Sequence, residues 1–274
     1  MFNLSQSTRN LSAFLALTIL LPLTTTADDK FPLRAKYSDI PLISTEELAA
    51  AYDSIAIIDV RSTFEFDVIH VGKAKHISIS KGSFGKMLEK ALGGDKTKKA
   101  AVYCNGYTCS KSYKAAKKAK ELGFTNVVAF DAGIFEWTMA YPDKSTLLGV
   151  SPVDKSNIIP KAQFVAKQLE ASEFESQIAN DPKAFVIDAR DPMQRKKSPK
   201  YKVKSRLMPM DKLVGQLDKA GFKKLTAGKK LYIYDAVGKQ VRWLQYHIEK
   251  NGITDYYFLK GGVWSLYGEQ GANK

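Results

Sequence analysis

Ile55-Ala56-Ile57-Ile58-Asp59-Val60-Arg61 returns further along the chain as Ala184-Phe185-Val186-Ile187-Asp188-Ala189-Arg190. Each copy is an apolar, β-rich run closed by Asp, a small residue and Arg. A continuous apolar run of this length fits a strand buried on both faces, as strands are inside a parallel sheet. The offset that relates Asp59 to Asp188 also relates Gly123 to Gly252, each at the end of a helical pattern. It relates Gly133 to Gly262 as well, each after another β-like run. Three correspondences at one offset predict a duplicated unit.

Around the first run, Ser44-Thr45-Glu46-Glu47 forms a capping box that opens a helix to about residue 52. Ala100-Ala101-Val102-Tyr103 predicts a second strand, followed by a sharp loop at Cys104 and a helix over residues 110–122 stopped by Gly123. Residues 127–130 supply another strand. The second copy repeats the order with Leu231-Tyr232-Ile233-Tyr234, a loop at Asp235, a helix ending near Asn251 and a strand over residues 256–259. Alternating strands and helices give an α/β fold of two tandem domains, each a mainly parallel sheet flanked by helices. Residues 142–160, with Ser, Asp, Lys and Pro and little periodicity, hold the linker. The expected boundaries are an N-terminal segment 28–43, a first domain 44–143, a linker 144–158 and a second domain 159–274.

The N-terminus carries Arg9, an apolar stretch over residues 11–23, and then Thr25-Thr26-Ala27. This pattern predicts a cleaved signal peptide, residues 1–27, and hence an exported protein, periplasmic in a Gram-negative cell. The stretch is shorter than the ~20 apolar residues needed to span a bilayer, so no stable membrane span is expected once the signal is removed. The net charge of +14 favours anionic partners. Export and the spread of the lysines argue against nucleic acid. The densest basic stretch, residues 195–206, is broken by Ser198 and Pro199 and reads as a solvated loop. There are 2 cysteines, Cys104 and Cys109, too few for a disulfide-dependent scaffold. Neither has a His at metal-ligand spacing, so no metal is expected.

Cys104 ends a predicted strand and precedes Asn105-Gly106-Tyr107-Thr108-Cys109-Ser110 and then a helix opened by Lys111. A thiol there faces loop N–H groups and the positive end of the helix dipole, both of which stabilise a thiolate or a bound anion. Lys111 and Lys114 add positive charge.

The segment Asp59-Val60-Arg61-Ser62-Thr63-Phe64-Glu65-Phe66, then His70-Val71-Gly72-Lys73-Ala74, the Tyr103-Cys104 loop and Asp131-Ala132-Gly133-Ile134-Phe135-Glu136-Trp137 resemble the successive signatures of a rhodanese domain. The second copy resembles the same family less closely, through Asp188-Ala189-Arg190 and Lys260-Gly261-Gly262-Val263-Trp264. The resemblance implies a sulfurtransferase without metal or organic cofactor. Cys104 would take a sulfane sulfur from a small anionic donor such as thiosulfate and pass it, as a persulfide, to a thiol or other thiophilic acceptor. The resemblance makes Asn105, Gly106, Tyr107, Thr108, Cys109 and Ser110 the anion cradle, with Lys111 as the basic residue on the anion.

Two features depart from that pattern. The interval from Cys104 to Gly123 exceeds that from Asp235 to Gly252 by two residues, which predicts a longer first loop and a wider anion pocket. Phosphatases of this fold have enlarged loops, but they place an arginine where this chain has Ser110. Cys109 lies within the loop, which opens an alternative: a redox-responsive or partner-binding protein in which Cys104 and Cys109 cycle between dithiol and disulfide. Asp235 puts a carboxylate where the family needs a thiol, so the second domain is expected to be inactive and to serve structure or a protein partner. Asp59 and Arg61 read as a buried structural pair, His70 and His76 as surface or packing residues, and Trp137 and Trp264 as packing at domain edges.

Overall fold

The computed structural model describes residues 30–267. The expected signal segment lies outside the described residues. The strands are β1 (Ala56–Asp59), β2 (Ile69–Val71), β3 (Lys75–His76), β4 (Ala100–Tyr103), β5 (Val127–Phe130), β6 (Ser145–Leu147), β7 (Gln168–Leu169), β8 (Phe185–Asp188), β9 (Arg206–Leu207), β10 (Leu231–Tyr234) and β11 (Tyr256–Leu259).

These strands build two α/β bodies. The first holds a parallel sheet in the order β3-β1-β4-β5, which a parallel bridge from Leu42 to Ala129 extends. The second holds a parallel sheet in the order β7-β11-β10-β8-β9. Strand for strand the orders agree, with β1 matching β8, β4 matching β10, β5 matching β11 and β3 matching β9. The two runs that decide the fold are therefore equivalent inner strands. In each body, three successive inner strands are almost wholly buried, which explains their lack of polar alternation.

The helices follow from local chemistry. Ser44 and Glu47 make the expected capping box for the helix Thr45–Ala50, and Ser62 and Glu65 make a second one for Thr63–Val68. The helix Lys111–Glu121 buries Ala115, Ala116 and Ala119 and turns its lysines outward, so small residues let it lie close on the sheet. Gly123 and Gly252 follow the helices Lys111–Glu121 and Val241–Lys250 at φ +86° and +73°, the left-handed conformation that ends a helix and favours glycine.

The linker differs from expectation at its start. Residues 145–147 form β6, antiparallel to β2, with Ser145 and Leu147 buried. Its Ser-Thr-Leu sequence carries no strand signature, and pairing with β2 supplies the order instead. Residues 195–206 are largely exposed as expected, except that Arg195 folds inward to the carbonyl of Arg190 and lies 3.7 Å from Asp188.

The two bodies share a core. Trp243 and Tyr246, from the helix Val241–Lys250, are buried in one apolar cluster with Val68, Phe130, Ile134 and Trp137 of the first body. Trp243 stacks on Phe135 with ring centroids 5.5 Å apart, and His247 stacks on Phe64 at 5.8 Å. The Tyr246 hydroxyl accepts the Ile159 N–H at 3.2 Å.

Candidate active site

The site is built at the end of β1. Asp59 and Arg61 are both fully buried, and the guanidinium meets the carboxylate through Nε and Nη2 at 2.6–3.1 Å. Burial alone would lower the Arg61 pKa, but the charge and hydrogen bonds of Asp59 hold it above its ordinary value, so it stays charged. The pair is structural, as expected, and it also reaches the loop. Arg61 Nη1 donates to Asn105 Oδ1 at 3.1 Å, Asn105 Nδ2 donates to Glu65 Oε1 at 2.7 Å, and Lys111 Nζ lies 3.6 Å from Glu65. Burial pushes the Glu65 carboxyl up, but Lys111, Arg61 and hydrogen bonds from Asn105 and Ser62 outweigh it and hold it below the usual range.

The other flank is set by Gly133. At φ +74° its missing side chain leaves room for the loop, since a Cβ there would stand 2.3 Å from the Gly106 nitrogen. Ile134 N–H donates to the Cys104 carbonyl at 3.1 Å. Tyr107 packs partly buried against the apolar core, edge-on to Phe31 at 4.9 Å, and its hydroxyl donates to Glu136. Arg34 and Tyr113 converge on the buried Asp131, at 2.8 and 2.6 Å, so the N-terminal segment packs on the first body beside the helix Lys111–Glu121.

Cys104 is 1% exposed and joined to Cys109 in a disulfide, with Cα atoms 6.2 Å apart. Of the two states that the loop spacing left open for this pair, dithiol and disulfide, the structure holds the disulfide. The Cys109 N–H donates to the Gly106 carbonyl at 2.8 Å, so this amide serves the loop rather than an anion. Lys111 opens the helix beside the loop, its side chain 40% exposed and its ammonium 3.6 Å from Glu65. The side chains of Asn105 and Tyr107 brace the loop, Thr108 is exposed, and Ser110 precedes the helix without a side-chain capping bond.

The second loop has the same frame and a different content. Val263 N–H donates to the Asp235 carbonyl at 2.9 Å, and a Cβ on Gly262 would stand 2.4 Å from the Val237 nitrogen, matching Ile134 and Gly133. The buried Asp235 carboxylate accepts from four backbone N–H groups: Val237 at 3.0 Å, Gly238, Gln240 at 2.7 Å and Val241 at 3.2 Å. Burial pushes this carboxyl up against the pull of those donors. The helix opens at Lys111 in one body and at Val241 in the other, and runs 11 residues against 10. Thus loop and helix each take one of the two extra residues that the glycine spacing had assigned wholly to the loop.

His70 and His76 bond the carbonyls of Phe66 and Arg61, at 2.8 and 3.0 Å, and act in packing. Trp137 lies in the core and Trp264 packs in the second body. The tryptophan beside the site is Trp243, whose ring lies 5.3 Å from the Arg61 guanidinium. Sequence reading also missed Glu65, although Ser62-x-x-Glu65 is a capping-box pattern. Among the described residues no group of His, Cys, Asp and Glu is placed to hold a metal, and no helix is long and apolar enough to cross a membrane.

Residues 44–140 match a family model described as a rhodanese-like domain. Over 106 residues the chain is 32% identical to the thiosulfate sulfurtransferase GlpE of Coxiella burnetii, covering 39% of this chain and 92% of that protein. It is 36% identical over 98 residues to the probable adenylyltransferase/sulfurtransferase MoeZ of Mycobacterium tuberculosis, covering 35% of this chain and 24% of that protein. The chain thus spans about a quarter of the length of MoeZ. A crystal structure of a thiosulfate sulfurtransferase from Pseudomonas aeruginosa aligns over 84% of this chain and 43% of that chain, at 19% identity and a TM-score of 0.37.

Proposed function

Because the chain belongs to the rhodanese family, we propose that it is a sulfurtransferase whose nucleophile is Cys104 in the reduced protein. The observation that carries this reading is the position of Cys104 at the end of β4, in a loop braced by Arg61 through Asn105. The Cys104 thiolate attacks the outer sulfur of thiosulfate. A sulfur–sulfur bond forms at Cys104, the bond within thiosulfate breaks, and sulfite leaves with the electron pair. An acceptor thiolate then attacks the terminal sulfur of the persulfide and restores the Cys104 thiolate. Loop N–H groups stabilise the anionic persulfide, as the N–H groups around Asp235 hold a carboxylate in the second body.

The second body is proposed to be an inactive rhodanese-like domain in tandem with the first, because its loop holds Asp235 in place of a thiol. We further propose export through the N-terminal signal and a role for the second body in shaping the first or binding a partner. The Cys104–Cys109 disulfide favours a second reading of the same site, a redox gate. Two equivalents of a thiol reductant must open it before sulfur transfer can start.

Intact-mass measurement of reduced protein incubated with thiosulfate tests the proposal. The expected result is the gain of one sulfur atom, absent from Cys104→Ser. Sulfur loading by Cys104→Ser would overturn the assignment. Peptide mapping of air-oxidised protein tests the gate: both cysteines free, or bridged between molecules, would remove it.

A further inference from the structure

Arginines in this chain that sit in or near the core are matched with acids: Arg61 with Asp59, Arg190 with Asp188, and Arg34 with Asp131. Arg242 differs. Its half-buried guanidinium lies 4.2 Å from the centre of the Phe135 ring and 5.8 Å from that of Trp243, and no carboxylate pairs with it among the described residues. Burial lowers its pKa, and Tyr246 offsets the effect only in part. A cation taken partly out of water without a counter-charge costs free energy that an arriving anion recovers.

The residues around it border the reactive loop. Phe135 belongs to the helix Gly133–Ala140, whose first residue abuts the backbone of Asn105 and Gly106. Trp243, next to Arg242 in the chain, lies beside Arg61, which holds Asn105. Lys111, the cation opening the first body's own helix, is engaged by Glu65. A planar guanidinium presents two parallel N–H donors, the geometry that suits two oxygens of one sulfonate.

We propose that Arg242, contributed by the second body, receives the sulfonate end of an anionic sulfane-sulfur donor at the Cys104 loop. This rests on the reading of Cys104 as the sulfur acceptor. It selects donors that end in a sulfonate, such as thiosulfate or an organic thiosulfonate, over uncharged ones, and it gives the second body a part in substrate binding.

The test compares reduced full-length protein with Arg242→Gln and Arg242→Lys. Cys104 is alkylated with iodoacetate and, separately, with its neutral analogue iodoacetamide, and modification at Cys104 is read by peptide mapping. The iodoacetate-to-iodoacetamide rate ratio is expected to fall severalfold in Arg242→Gln and to recover in part in Arg242→Lys. The iodoacetamide rate shows in the same variants whether Cys104 keeps its normal surroundings. With thiosulfate, Arg242→Gln is expected to raise KM about tenfold with kcat retained, the scale of one lost charge-assisted contact. A wild-type enzyme that transfers sulfur, with both the ratio and KM unchanged in Arg242→Gln, overturns the inference. A ratio that falls in a protein that takes no sulfur from any donor upholds the anion site and overturns the sulfur-transfer reading instead.

Discussion

Glu65 serves three neighbours at once: it caps its own helix through Ser62, holds Asn105 in the loop, and pairs with Lys111. Its carboxyl has a lower pKa folded than unfolded, so its contribution to stability is present above the ordinary glutamate value and is lost as pH falls through the depressed one. Wild-type protein is therefore expected to weaken below about pH 4.3. Glu65→Gln should be less stable by about 1–3 kcal/mol at neutral pH, with a flatter acid limb, measured by urea unfolding across pH. Asp235 makes the same demand in the second body, since all four of its partners are backbone donors. Asp235→Asn turns an amide donor toward N–H groups and should cost about 1–3 kcal/mol. Asp235→Ala, in a folded variant, should leave sulfur loading at Cys104 in place. Intact mass after thiosulfate checks this, and complete loss of loading would show that the second body supports the site through this loop.

Among the elements, the glycine that opens each aromatic helix sets how closely that helix approaches its loop. Gly133→Ala adds a methyl group 2.3 Å from backbone at a positive φ, so loop and helix must separate. Gly123→Ala has the same conformational handicap with open surroundings, and should cost only about 1–2 kcal/mol. Thermal unfolding of both variants is expected to rank Gly133→Ala clearly below Gly123→Ala, and similar values would contradict the close approach. Features of this kind were legible in the sequence because they are local: apolar runs, the Ser44 capping box and the helix-ending glycines report their own conformation. What the sequence left open depends on distant partners. Lys111 read as a free cation because Glu65 meets it only after β1, the helix Thr63–Val68 and the loop have folded together. The strand β6 has no pattern of its own and exists through β2. Spacing allowed the Cys104–Cys109 bridge and also allowed its absence, and the curl of the loop decides between them.

Over the whole molecule, the helix Val241–Lys250 does two jobs, filling the second body with Leu244 and Ile248 and the first with Trp243 and Tyr246. Trp243→Ala should cost about 3–5 kcal/mol and loosen the first body as well as the seam. Limited proteolysis of the variant is expected to cut residues 148–160 faster, and unchanged cleavage would mean that the bodies hold together without it. The chain's 3 tryptophans also divide the molecule for a spectroscopist. Trp137 is sealed in the first body, Trp243 lies in the seam, and Trp264 belongs to the second. Replacing two of them with phenylalanine leaves a single tryptophan, which can be excited selectively over the tyrosines, so that three such proteins report separately, by the red shift of their tryptophan fluorescence in denaturant, whether the halves melt together and whether the seam opens before either.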